Sequence, residues 1–180
     1  SGHDSFSRNQ STNFLHWADL IAASLGYKPL YHILNSPGIL RLPEFQFDMV
    51  RLGIGLYGVD PTSEGFSQLR PVATLKTIVA QIKHVKSGES IGYGRKGIAQ
   101  KDTTIGTIAI GYADGFSRGF SRGVGEVMIH GKRAKVIGNV CMDMTMIDLT
   151  EIEATEGDEV ILFGKEFPIQ EIAEKIGTIP

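Results

Sequence analysis

Between Asp60 and Pro71 the chain reads DPTSEGFSQLRP. Proline near each end removes backbone donors, and the polar residues around Gly65 favour turns, so no regular element is expected to run through it. The stretch divides the chain into two unlike parts, taken as 1–65 and 66–180. Before it, residues 7–25 have helical periodicity. Ser7 and Gln10 fit a capping box. Phe14, Trp17, Ile21 and Leu25 are spaced as one buried face, and Gly26 is placed to cap the C-terminus. The short apolar segment LYHILNS (30–36) follows, and then FDMVRLGIGLYG (47–58), strand-like but carrying three glycines. Helix and short buried segments in this order are α/β texture. After the divide come strand-like runs at Val72–Val85, Thr103–Ile110, Glu126–Ile129, Arg133–Ile137, Thr145–Leu149 and Glu159–Phe163. Short strands at this density predict an all-β domain, a small barrel or sandwich. A last helix is expected near Ile169, with Ile172, Ala173 and Ile176 on one face. The first part is too short to cover both faces of a parallel sheet and reads as incomplete.

Composition narrows the function. Lysine and arginine number 18 against 20 acidic residues, with no basic block, which argues against nucleic acid and anionic membranes as partners. No apolar run approaches the ~20 residues a membrane helix needs, and the polar N-terminus is no signal peptide. The single Cys141 excludes an internal disulfide framework, fits a reducing compartment, and without ligating neighbours makes no zinc site.

Five clusters carry polar groups suited to chemistry. His32, Asn35 and Ser36 stand where a strand ends. Such groups can hold a phosphate, or can simply turn the chain into Pro37. Arg51 lies in an apolar, glycine-bearing segment, where it needs a partner unless its head reaches water. Tyr93 sits between Gly92 and Gly94 in SGESIGYGRKG. Tyrosine ionises near pH 10 in model peptides, so a base role needs a nearby cation; otherwise the ring packs in a turn. Tyr112, Asp114 and Arg118 occupy a common turn signal. Cys141, Met142 and Asp143 read either as core residues beside a turn or as the surroundings of a reactive thiol.

In order and spacing, HILNSPGIL, FDMVRLGIGLYG, SIGYGRKG, IAIGYADGFSRG and VIGNVCMDMTMIDLT together resemble alanine racemase, from about Phe6 to the last residue. HILN and RLGIGLYG resemble most the racemase domains fused to a cell-wall ligase. The resemblance implies the end of a TIM-like (β/α)8 barrel followed by a C-terminal β-domain. It also implies a pyridoxal 5′-phosphate cofactor and the interconversion of L- and D-alanine for peptidoglycan synthesis, in a cytoplasmic homodimer whose active site is shared between subunits. In the family a lysine and a tyrosine serve opposite faces of the substrate. The tyrosine corresponds to Tyr93, acting on the partner's cofactor. Arg51 corresponds to the arginine on the pyridine nitrogen, His32 to a histidine orienting it, and Ser36, Asn35, Gly53 and Ile54 to the phosphate site. Tyr112 and Arg118 match the substrate entrance; Met142 matches the contact to the substrate carboxylate, flanked by Cys141 and Asp143. The family's cofactor-binding lysine belongs to a preceding segment with no counterpart here, so the chain is expected to be a C-terminal fragment, inactive alone. Asn139 stands where the family often has arginine. Two other readings stay open: a non-catalytic docking module, and a racemase for serine or lysine.

Overall fold

In the computed structural model, residues 4–60 and 69–180 are described. The expected division within 60–71 thus falls largely outside the described residues. The chain forms two compact units, Ser1–Arg70 and Pro71–Pro180.

The first unit begins with helix α1, Asp4–Leu25. It starts ahead of Ser7, so the expected capping box is not its beginning; the Ser7 carbonyl instead accepts from the Ser11 hydroxyl at 3.1 Å. Its end is as expected: Gly26 adopts φ +74° and its N–H donates to the Ala22 carbonyl at 3.0 Å. The expected buried face is not buried. Trp17, Ile21 and Leu25 remain exposed, and only Phe14 packs, edge-on to Tyr31 and stacked on Phe47. The reason is the small partner surface. Beyond α1 lies one pair of extended segments running parallel, bridged at His32 and Met49, with N–H donation from Asp48 to Tyr31 and from Arg51 to Leu34. Helix α2, Ser36–Arg41, starts directly after the first segment. The glycine-bearing run after the second is not a strand beyond the bridge; Ile54–Tyr57 form a 3-10 turn.

The second unit is a closed six-stranded barrel. Its strands are β1 (Leu75–Val85), β4 (Thr103–Ile108), β5 (Glu126–Ile129), β6 (Lys132–Ile137), β7 (Thr145–Asp148) and β8 (Glu159–Phe163), ordered β1-β4-β7-β6-β5-β8. Closure depends on β1. Its first half pairs with β8 and its second with β4, with a register shift between Val79 and Gln81. Such a bulge bends one strand into two pairings. Alternate residues point inward, and Val79, Ile108, Val127, Val136, Ile147, Val160 and Leu162 fill the interior. Thr145, fully buried among them, donates its hydroxyl to the Ile110 carbonyl at 2.8 Å. Helix α3, Ile169–Lys175, packs Ile172 against this core, and Ala173 is buried as well. The expected strands and last helix are all present, within a few residues of their expected ends. Two further short strands, β2 (Ser90–Ile91) and β3 (Gly97–Ile98), pair with each other and present the turn that carries Tyr93. A second small core of Ile91, Ala99, Ile105, Cys141 and Met146 lies beneath them.

Candidate active site

The expected site residues fall into two groups, one in each unit. In the first unit they surround the start of α2. Asn35 caps this helix, its side-chain carbonyl accepting from the Gly38 N–H at 3.2 Å. Ser36 is buried, and its Oγ accepts from the N–H groups of Gly53 at 3.0 Å and Gly55 at 3.1 Å. One hydroxyl thus draws the loop before Ile54 against the end of the other extended segment. A side chain at Gly53 would meet nothing nearer than Ser36 Oγ at 3.8 Å, so the loop is open on that side. Arg51 is exposed, and its Nη2 donates to the Ile33 carbonyl at 3.0 Å. The partner sought for this arginine is therefore a backbone carbonyl. His32 does not join it by any hydrogen bond among the described residues. Its Nδ1 is buried without a hydrogen-bond partner.

Hydroxyl, carboxamide, backbone N–H groups and a guanidinium converge here. The Gly53 and Gly55 N–H groups are engaged by Ser36 Oγ, so the donors left for a ligand are the Ser36 hydroxyl proton, the Asn35 amide and the guanidinium; these suit an anionic group beside Ser36 and a ring acceptor at Arg51. The orphaned His32 Nδ1 is a further polar atom that only an additional group would satisfy. The residues present therefore fit a phosphorylated aromatic cofactor.

In the second unit, Tyr93 opens a 3-10 turn, Tyr93–Arg95, and is 75% exposed. Gly92 before it has φ +72°, and a Cβ there would stand 2.7 Å from Met146 Cε. The positive φ favours glycine there, whereas the Met146 terminus, the end of a flexible side chain, could move aside. The phenol thus projects from a turn seated on the small core. Tyr112 begins another 3-10 turn, Tyr112–Asp114. The Tyr112 N–H donates to the Cys141 carbonyl, and the Ala113 N–H to that of Met142, each at 2.9 Å. Asp114 accepts from the Gly111 N–H at 3.0 Å. Arg118 lies over the Tyr112 ring, 5.7 Å from its centre. Tyr112, Arg118, Cys141, Met142 and Asp143 are thereby brought together. Met142 is exposed, whereas Cys141 is buried. Burial pushes the Cys141 thiol above its ordinary value and Asp143 adds to this; the Tyr93 backbone N–H and Arg118 oppose it. Cys141 is buried in the small core with Ile91, Ala99, Ile105 and Met146, as its core reading expects.

Sequence reasoning missed Asn139 as a partner of the tyrosine, since the two are 46 positions apart. Its Nδ2 donates to the Tyr93 carbonyl at 3.4 Å. Among the described residues no cluster of three or more His, Cys, Asp or Glu could hold a metal. Among them, too, no helix is long and apolar enough to cross a membrane.

Residues 72–180 match the alanine racemase C-terminal domain and residues 1–61 the alanine racemase N-terminal domain. The alanine racemase of Thermodesulfovibrio yellowstonii is 47% identical over 87% of this chain and 43% of its own length. That of Desulfovibrio desulfuricans is 46% identical over 82% and 41%. Among solved structures, alanine racemase of Clostridium difficile 630 in complex with cycloserine superposes with a TM-score of 0.88 at 37% identity, covering 97% of this chain and 48% of that one. Alanine racemase of Bartonella henselae with covalently bound pyridoxal phosphate gives 0.83 at 32% identity, covering 98% and 48%. The chain thus spans between two fifths and one half of the length of these relatives. With both domain matches and this identity in hand, the chain belongs to the alanine racemase family.

Proposed function

We propose that this chain supplies part of the active site of a pyridoxal-phosphate-dependent racemase that interconverts L- and D-alanine for peptidoglycan synthesis in the cytoplasm. The observation that carries the proposal is Tyr93, an exposed phenol raised on a glycine-bounded turn at the family's motif position. The Bartonella relative holds its pyridoxal phosphate covalently, and the cluster around Ser36 and Arg51 fits the same group here.

In this reading residues 1–65 are the C-terminal part of the cofactor-binding (β/α) barrel. Their parallel extended pair and following helix support it. Residues 66–180 are the β-domain. Ser36, Asn35, Gly53 and Ile54 would hold the phosphate, and Arg51 would donate to the ring nitrogen, with His32 as its proposed orienting neighbour. When bound, the cofactor supplies an electron sink for the charge that develops at the alanine Cα. A guanidinium donor beside the ring would yield no proton to it, and so would leave a bound cofactor a weaker sink. Tyr93 moves the proton on one face of Cα. Met142, flanked by Cys141 and Asp143, meets the carboxylate through its backbone, and Tyr112 with Arg118 lines the approach. Two copies pair, and Tyr93 of each serves the other's cofactor. No lysine of this chain stands in the family's cofactor-binding motif, so the 180 residues alone are inactive.

Tyr93→Phe in the complete gene product tests the reading. Loss of a positioned acid–base group lowers kcat/KM by about 10²–10⁴-fold. A docking module with inherited residues would be indifferent. Unchanged alanine turnover in the variant would sink the proposal. Serine or lysine turned over faster than alanine by the unaltered enzyme would change its substrate.

A further inference from the structure

The side chain of Tyr93 is exposed, but its backbone is clasped. Asn139 Nδ2 donates to the Tyr93 carbonyl at 3.4 Å, and Asn139 Oδ1 accepts from Arg122 Nε at 3.2 Å. A single half-buried amide thus spends donor and acceptor on two partners. Arg122 is itself laced to the same segment. Its N–H donates to the Gly138 carbonyl at 2.6 Å, and the next N–H, of Gly123, to that of Val136 at 2.8 Å. Ser121 Oγ accepts from the Val140 N–H at 3.0 Å. Beyond the tyrosine turn, Gly97 passes so close to Gly138 that a Cβ on Gly97 would stand 3.1 Å from the Gly138 backbone. The turn is therefore held by its carbonyl side through Asn139 and by backbone contact just after it. All of these residues belong to the second unit, so the arrangement exists within one chain.

We propose that Asn139, braced by Arg122, is a positioning residue that fixes the Tyr93 peptide and thereby the angle at which the phenol leaves the turn. This rests on the reading of Tyr93 as the proton-transfer residue. A phenol on a two-bond stem follows its backbone. Freeing the carbonyl lets the peptide plane rotate and carries the hydroxyl off line, and a displacement of this kind costs about 10–100-fold in rate.

Asn139→Asp keeps the acceptor for Arg122 and removes the donor to Tyr93. Arg122→Gln, at an exposed position, loosens the brace without touching the turn, and serves if the first variant does not fold. Two readouts are used. In this chain, the 13C carbonyl shift of Tyr93 and the amide exchange of Gly92–Lys96 report the clasp. In the complete gene product, kcat and the primary isotope effect with Cα-deuterated L- and D-alanine report the proton transfers. The expected result for Asn139→Asp is a moved carbonyl shift and faster exchange, with kcat down about 10–100-fold at little changed KM. The isotope effect should rise for the one enantiomer whose proton faces Tyr93. Arg122→Gln should move the same quantities less. An unchanged shift, or a loss of kcat with the isotope effects of both enantiomers unchanged, would overturn the proposal in favour of a merely structural amide. Tyr93→Phe is run alongside. A severe defect there with a silent Asn139→Asp refutes the positioning alone, whereas a silent Tyr93→Phe refutes the base and the positioning together.

Discussion

Two residues decide whether the two groups of expected site residues, one in each unit, keep their shape, and neither carries out chemistry. Ser36 is buried and satisfies two backbone N–H groups with one oxygen. Ser36→Ala leaves those donors without their partner, and the expected loss is about 1–3 kcal/mol of the first unit's stability. Denaturant unfolding followed by Trp17 fluorescence measures it. Cofactor affinity in the complete gene product should fall in parallel, because the loop at Gly53 is then no longer drawn in. Gly111 is the second. A Cβ there would stand 2.4 Å from the Cys141 and Met142 carbonyl oxygens. Those oxygens accept from Tyr112 and Ala113, so a methyl group cannot be accommodated without separating the two segments. Gly111→Ala should destabilise the barrel by about 3 kcal/mol or more, since backbone rather than a flexible side chain must yield. A thermal midpoint within about a degree of the parent, where ~3 kcal/mol shifts a domain of this size by several degrees or more, would show that the contact yields freely.

At the scale of elements, α3 is tied to the barrel by charge as well as by Ile172. Glu126 on β5 accepts from Lys175 of α3 at 2.8 Å, and Arg133 on β6 pairs with both Glu126 and Glu171. The hydrogen bond from Lys175 is the main cause holding Glu126 below the ordinary carboxylate range, with Arg133 assisting; Arg133 does the same for Glu171. A carboxylate depressed in the folded state contributes stability above its unfolded pKa, near 4.3, and loses it as pH falls through the lower folded value. Melting temperature should therefore be steady from about pH 7 to about 5 and fall below about 4.5. Lys175→Met should lower the plateau and flatten the acid limb; an unchanged limb would show that these carboxylates do not govern it. The same elements show what the sequence made legible. Alternating runs bounded by turns located all six barrel strands, because a strand with one buried face announces its period. The sequence left barrel and sandwich open; the choice was not legible, because closure depends on β1 changing partners at a bulge between Val79 and Gln81. In α1 the periodicity located the helix but not its cover: Trp17, Ile21 and Leu25 mark a face that wants a partner, and the described residues do not provide one. The run from Phe47 to Gly58 looked like a strand, yet its apolar residues yield to a 3-10 turn once Gly53 and Gly55 let the chain fold back onto Ser36. The residue types around Ser36 and Tyr93 were readable from motif. The bond from Asn139 to Tyr93 was not, for it joins side chain to backbone across 46 positions and leaves no pattern.

For the molecule as a whole, the question is what a chain with the proposed cofactor-binding residues but no motif lysine does with free pyridoxal phosphate. Covalent capture needs an unprotonated amine close to a site that holds the phosphate. The chain has ten lysines. Nine are exposed, and the tenth, Lys175, is half-buried and engaged by Glu126. Lys86 is held above its ordinary value by its hydrogen bond to Asp102, which keeps its amine protonated and unreactive. None of these lysines lies on the elements that carry Ser36, Arg51 and Gly53. Borohydride reduction after equilibration with pyridoxal phosphate should therefore give only scattered, substoichiometric labelling of exposed lysines. Non-covalent affinity at the Ser36 cluster is a separate matter. It should appear as added protection of the Ile54 amide from exchange when pyridoxal phosphate is present, and that increment should vanish in Ser36→Ala. A single stoichiometric adduct, located by peptide mass analysis, would mean that one lysine is delivered to the cofactor from within these 180 residues. The proposal that the chain is inactive by itself would then fall, while the assignment of Ser36 and Arg51 to the cofactor would stand.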